Sequence, residues 1–127
     1  MPRILAVEDD PPTLAFLADA LMAEGYEVLT VADGQAALEY LASCGADQPD
    51  AILLDLYLPL VDGAELAEAY HRLPLPHAPI VLMSASQETR AQAITVHAAG
   101  ALVKPVTLDA LLAELDRVVG SVGSARR

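Results

Sequence analysis

Short apolar runs alternate with helical stretches five times along this 127-residue chain. The runs are Ile4–Val7, Tyr26–Val31, Ala51–Leu54, Ile80–Met83 and Ala101–Val103. The first, third and fourth are continuously apolar, the pattern of strands covered on both faces. The second alternates, with Glu27 and Thr30 among Tyr26, Val28, Leu29 and Val31, and the fifth is very short, so both read as sheet edges. Leu14, Leu17, Ala18 and Leu21 share one helical face, as do Leu108, Leu111, Leu112 and Leu115. Caps are expected at Asp62, with Glu65 three residues on, and at Ser86 and Thr107. Helix stops are expected at Gly25, Gly45 and Gly100. Asp33 reads as a cap or turn residue, and Asp10 as a solvated acid ahead of Pro11 and Pro12, which start the first helix.

Strict strand–helix alternation requires parallel strands joined by crossovers, with helices on both faces. The predicted fold is α/β, a doubly wound five-stranded parallel sheet of order 2-1-3-4-5 with five helices. That order puts the two edge-like strands outermost and sets the first beside the third at the topological switch point. The length suits one core and one domain, residues 1–119, with 120–127 as a flexible tail or the start of a linker. The stretch His71–Pro79 reads as a rigid proline-rich connector within the domain.

Chemistry collects where the strands end. Glu8 and Asp9 close the first run and Asp55 closes the third. A parallel sheet brings these ends together, and clustered carboxylates repel unless something cationic lies between them. All-oxygen ligands of high charge suit Mg2+, which binds through one or two carboxylates, waters and phosphate oxygens. Ser84 ends the fourth run and Lys104 the fifth, immediately before Pro105, on the same rim. A hydroxyl, an ammonium and a metal ion are what phosphoryl transfer uses to position and neutralise the equatorial oxygens. Asp55 itself can be the nucleophile, forming an aspartyl phosphate.

Composition narrows the alternatives. With one Phe and no Trp, the core must be built from Leu, Val, Ile and Ala. A formal charge of -11 argues against nucleic acid or an anionic membrane as a direct partner, and most of the 18 acids read as solubilising surface. Cys44 is alone, which excludes a disulfide framework or a Cys-based zinc site within one chain and leaves a buried or helix-end thiol. His71, His77 and His97 lack metal-ligand spacing and read as surface residues. No run approaches transmembrane length, and the N-terminus carries no charged-then-apolar signal.

The set Glu8-Asp9, Asp55-Leu56-Tyr57-Leu58-Pro59 with Asp62-Gly63, Ser84-Ala85 and Lys104-Pro105 resembles the response-regulator receiver domain of two-component signalling, from Ile4 to about Val119. The resemblance implies a flavodoxin-like fold and a set of roles. Asp55 is the phosphoacceptor. Glu8 and Asp9 are the acid pair for Mg2+, Asp9 direct and Glu8 direct or through water, and the backbone carbonyl of Tyr57 is a further ligand. Ser84 is a switch hydroxyl that moves onto the phosphoryl group, Lys104 pairs with that group, and the Lys104–Pro105 bond is cis. It further implies a cytoplasmic signalling module that catalyses only its own phosphorylation and dephosphorylation. The phosphoryl group would come from a sensor histidine kinase or phosphotransfer protein. No DNA-binding or catalytic output domain follows Val119 in this sequence, so the receiving side would be a downstream protein, or an output domain fused in a longer protein from which this chain is cut.

The chain departs from that pattern in one region. Receivers usually carry an aromatic residue three positions before the lysine, where this chain has Ala101. Ser84 and Lys104 are only 20 positions apart (104 minus 84), which shortens the fourth helix or its exit. A receiver fold working as an interaction module, with weak or absent phosphorylation-dependent switching, is therefore the alternative. A metal-dependent phosphatase would need a carboxylate two residues after Asp55 as general acid, and Tyr57 stands there.

Overall fold

The structure, a computed structural model, describes residues 2–58, 60–85 and 89–126. Five strands, β1 (Arg3–Val7), β2 (Glu27–Val31), β3 (Ala51–Asp55), β4 (Ile80–Ser84) and β5 (Gly100–Val103), form one parallel sheet in the order β2-β1-β3-β4-β5. Five helices alternate with them: α1 (Pro11–Ala23), α2 (Gly34–Cys44), α3 (Gly63–Arg72), α4 (Thr89–Thr95) and α5 (Leu108–Arg126). The predicted order and the two predicted edges are those observed.

Successive strand residues point to opposite faces, so each apolar strand serves two cores. Leu5, Val7, Ile52, Leu54, Ile80 and Leu82 meet Ala37 and Leu41 of α2, Leu66, Ala67 and Tyr70 of α3, and Ala93 of α4. Ile4, Ala6, Leu53, Val81 and Met83 meet Leu17 and Leu21 of α1 and Leu111, Leu115 and Val118 of α5. β3 and β4 are buried at every position, as their uninterrupted apolar sequence requires.

Local signals account for most helix ends. Asp10, Asp33 and Asp62 cap α1, α2 and α3, their carboxylates accepting from the N–H groups of Thr13, Ala36 and Glu65. Thr107 caps α5 through its hydroxyl, which accepts from the Ala110 N–H at 3.2 Å. The cap expected at Ser86 lies outside the described residues. Gly25 (φ 92°) and Gly45 (φ 58°) take the left-handed turns that follow α1 and α2. Gly100 does not end a helix. It opens β5, and the left-handed residue after α4 is His97 (φ 58°), with the Ala98 N–H closing the turn onto the Ala93 carbonyl at 2.8 Å. Among the described residues α4 spans seven, Thr89–Thr95. α5 runs to Arg126, with Val118 and Val119 buried on its inner face.

A buried polar tie holds α2, α3 and the start of β4 together. The Tyr70 hydroxyl donates to Gln48 Oε1 and accepts from the Ala78 N–H, both at 2.7 Å, while Gln48 Nε2 donates to the carbonyls of Leu41 and Gly45. Two of the histidines pack against it: His71 and His77 lie edge-on to each other with ring centroids 5.4 Å apart, and His77 is edge-on to Tyr70. Burial, then the nearby charges of His77 and His97, hold His71 below its ordinary value of 6.5. The unfolded chain therefore takes up a proton near pH 6.5 that folded His71 refuses. His71 thus costs stability as pH falls from about 6.5 toward its lowered folded value. Thermal melts of His71→Gln should fall less over this window than those of the parent protein. Parallel curves would show that His71 is not held neutral.

The loop after β3 stores strain. Leu60 sits in the left-handed region at φ 68° and is 77% exposed. That conformation costs an ordinary L-residue roughly 1–2 kcal/mol, and little buried area returns it. Leu60→Gly should stabilise the fold by about 1 kcal/mol in urea titrations. A loss of stability would mean that the Leu60 side chain contributes contacts outweighing this strain.

Candidate functional site

β1 and β3 are neighbours with Val7 opposite Leu54, so Glu8 and Asp55 emerge side by side at the carboxyl end of the sheet. Glu8 is fully buried, Asp55 is nearly so, and Asp9 is exposed at the mouth. One carboxylate oxygen from each lies within 4.8 Å of the others. Two such charges at that separation repel by roughly 3.5 kcal/mol at an effective dielectric of about 20. The cluster is acceptable only because it is held and partly neutralised.

Glu8 is held from three directions. Its backbone N–H donates to the Val31 carbonyl, and its Oε2 accepts from the N–H groups of Asp9 (3.0 Å) and Asp10 (3.3 Å). Its other oxygen, Oε1, accepts from Lys104 Nζ at 2.5 Å, and the same ammonium lies 3.3 Å from Asp55 Oδ2. Lys104 reaches this position because its backbone N–H donates to the Ser84 carbonyl at 2.7 Å, tying the end of β5 to the end of β4. The Lys104–Pro105 bond is cis, as expected.

Asp55 is fixed from behind. Its backbone carbonyl abuts Gly63 so closely that a Cβ there would stand 2.4 Å away, and the Gly63 N–H donates to the Leu56 carbonyl at 2.8 Å. Only glycine allows α3 to start this near the strand. Asp55 Oδ1 accepts a long hydrogen bond from the Tyr57 N–H at 3.3 Å, and the Tyr57 ring is exposed. Ser84, buried at the end of β4, lies one step beyond Met83, the β4 residue opposite Asp55. The structure thus brings Glu8, Asp9, Asp55, Ser84 and Lys104 to one rim, with Tyr57 on the loop beyond β3.

The charges do not balance: three carboxylates face one ammonium. Burial, reinforced by Asp55, raises Glu8 above the usual carboxylate range despite Lys104. Burial works against the Lys104 charge, but the bond to Glu8 and the neighbouring Asp55 outweigh it and raise its value. Both shifts are upward, as a site short of positive charge requires. A hard divalent cation with oxygen ligands fits this donor set.

Two features beside the rim are not legible in the sequence. One is the pair of backbone N–H groups gripping Glu8. The other is a largely apolar hollow of about 460 Å³ between α1 and the β5–α5 loop, lined by Pro12, Thr13, Phe16, Ala85, Lys104, Pro105 and Val106. Phe16 is 40% exposed there although it is apolar and helical. A second hollow, about 350 Å³ between α2 and the start of β2, lies at the opposite end of the strands from the carboxylates.

Known proteins share this fold. Residues 4–116 match the response regulator receiver domain family. The transcriptional regulatory protein PrrA of Mycobacterium tuberculosis is 35% identical over 125 residues, covering 97% of this chain and 52% of PrrA. The chain therefore spans about half the length of the curated relatives it matches. Among solved structures, the chemotaxis response regulator CheY4 of Vibrio cholerae superposes with a TM-score of 0.82 at 32% identity, covering 93% of this chain and 98% of CheY4. The receiver domain of sensor histidine kinase PA1611 from Pseudomonas aeruginosa, described with a magnesium ion in its active-site cleft, gives 0.83 at 30% identity over 94% of this chain and 98% of that one.

The chain belongs to the response-regulator receiver domain family of two-component signalling. Among its described residues, no helix is long and apolar enough to cross a membrane.

Proposed function

We propose that this receiver accepts a phosphoryl group on Asp55 from a phosphohistidine of a sensor kinase or phosphotransfer protein. The observation that carries the reading is the meeting of Glu8, Asp9 and Asp55 within 4.8 Å, with Lys104 as their partner. An Asp55 carboxylate oxygen attacks phosphorus, the N–P bond to imidazole breaks with its electron pair leaving on nitrogen, and an acyl phosphate forms. Mg2+, when held by Glu8, Asp9, Asp55 and the Tyr57 carbonyl, would neutralise phosphoryl charge. Lys104 exchanges part of its contact with Glu8 for a phosphoryl oxygen, and Ser84 donates its hydroxyl to another. Hydrolysis of the acyl phosphate then restores the carboxylate, so the domain turns over nothing but its own phosphoryl group.

The open apolar hollow beside Lys104 and Phe16 favours a protein donor over a free metabolite. The cytoplasm, where such donors reside, is the compartment this reading requires. The downstream contact is with protein, either a separate partner or a fused output domain, and the charge of -11 leaves no direct role for this domain on nucleic acid. The alternative, a module whose contacts ignore phosphorylation, draws on the altered switch region, Ala101 and the short spacing between Ser84 and Lys104. Incubation with a small phosphodonor such as phosphoramidate and Mg2+, followed by intact-mass measurement, tests the reading. One added phosphoryl group, dependent on Mg2+, is expected, and no uptake under any Mg2+ concentration would overturn it.

A further inference from the structure

β5 is the outer strand on its side of the sheet, and such an edge exposes backbone donors and acceptors to any other strand. In the register of β4 with β5, the Ala99 carbonyl and the Ala101 N–H, which flank Gly100, point away from the sheet. These are the two groups that one residue of a sixth parallel strand would engage. They are already engaged, by α5. Glu114 Oε2 accepts from the Ala101 N–H at 3.1 Å, and the Arg117 guanidinium donates to the Ala99 carbonyl at 2.7 Å. The two side chains are joined to each other, Arg117 Nε donating to Glu114 Oε1 at 2.6 Å. Room for them exists because residue 100 is glycine: a Cβ there would stand 2.7 Å from the guanidinium and 2.8 Å from the carboxylate.

We propose that Glu114 and Arg117 act as a surrogate strand residue that closes the outer edge of β5 and pins β5 to α5, whatever the state of Asp55. The pinned strand carries Ala101, which has no ring to swing, so neither the side chain nor the backbone at this position provides a moving part. Motion driven from Asp55 is left to the Ser84–Ala85 end of β4. This last step rests on the phosphoacceptor reading; the closure of the edge does not.

Amide hydrogen exchange and chemical shifts of the full chain separate the two. In the parent protein the Ala101 N–H should exchange at least tenfold more slowly than in Glu114→Gln or Arg117→Gln, while amides in the middle of β3 keep their protection. Mg2+ with beryllofluoride should shift Ala85 strongly and Ala101 weakly in the parent protein, and shift Ala101 strongly in both variants. Equal exchange at Ala101 in all three proteins would overturn the surrogate strand. So would a large beryllofluoride shift at Ala101 in the parent protein. Silence at Ala85 in all three would count against the phosphoacceptor reading, and the exchange rates would still decide the clamp.

Discussion

Asp55→Asn should reduce phosphoryl uptake from a small donor by at least a hundredfold, to the limit of detection. The carboxamide has no anionic oxygen to attack phosphorus, and it offers a divalent cation a weaker ligand. The loss should not come from unfolding. Asp55 sits within 4.8 Å of two other carboxylates, so removing its charge relieves repulsion and should hold or raise the melting temperature without metal. Neither effect alone identifies the acceptor. A more stable protein that no longer accepts phosphate marks Asp55 as both acceptor and source of repulsion. Undiminished uptake by the variant would place the acceptor elsewhere.

Lys104→Ala should be the most destabilising single change at the site, by about 2–3 kcal/mol without metal. Its ammonium is the partner of fully buried Glu8 at 2.5 Å and of Asp55 at 3.3 Å, and truncation leaves both carboxylates facing each other. The loss falls below the range usual for broken buried pairs because Asp9 opens the mouth to water and Glu8, already raised, can take up a proton. That proton makes the defect pH-dependent. Glu8 is raised above its unfolded value, so its contribution is fully present at acid pH and is lost as pH rises through the folded value. Removing Lys104 moves Glu8 further up. The variant should therefore recover on mild acidification and on addition of Mg2+, which supplies the missing positive charge. Calorimetry across pH, with and without Mg2+, reads all three effects. A variant as stable as the parent protein would show that Lys104 does not neutralise the cluster.

What the sequence reveals and what it hides divide on physical grounds. The apolar runs reveal the sheet because a strand buried on both faces has no polar position to spare, as Ile52, Leu53 and Leu54 illustrate. Strand order follows from which runs are interrupted. The site is legible because a carboxylate at a strand end needs an unusual reason to be there, and Glu8, Asp9 and Asp55 share one. Contacts made by backbone or across long separations stay hidden. Nothing in the local sequence marks Gly63 as the residue against the Asp55 carbonyl, Gln48 as the partner of Tyr70, or Glu114 and Arg117 as the cover of β5. Gly100 misleads for a related reason. Glycine after a helix usually supplies a left-handed turn, but His97 makes that turn, and Gly100 provides room for two side chains from α5.

Phosphate should attach to a single carboxylate, that of Asp55. Borohydride reduces an acyl phosphate to an alcohol, so phosphorylated protein treated with borohydride and digested should yield a peptide with homoserine in place of Asp55. Conversion at position 55, absent when Mg2+ is withheld, is the expected result; homoserine at position 9, or an unmodified Asp55 in protein that has gained a phosphoryl group, would contradict it.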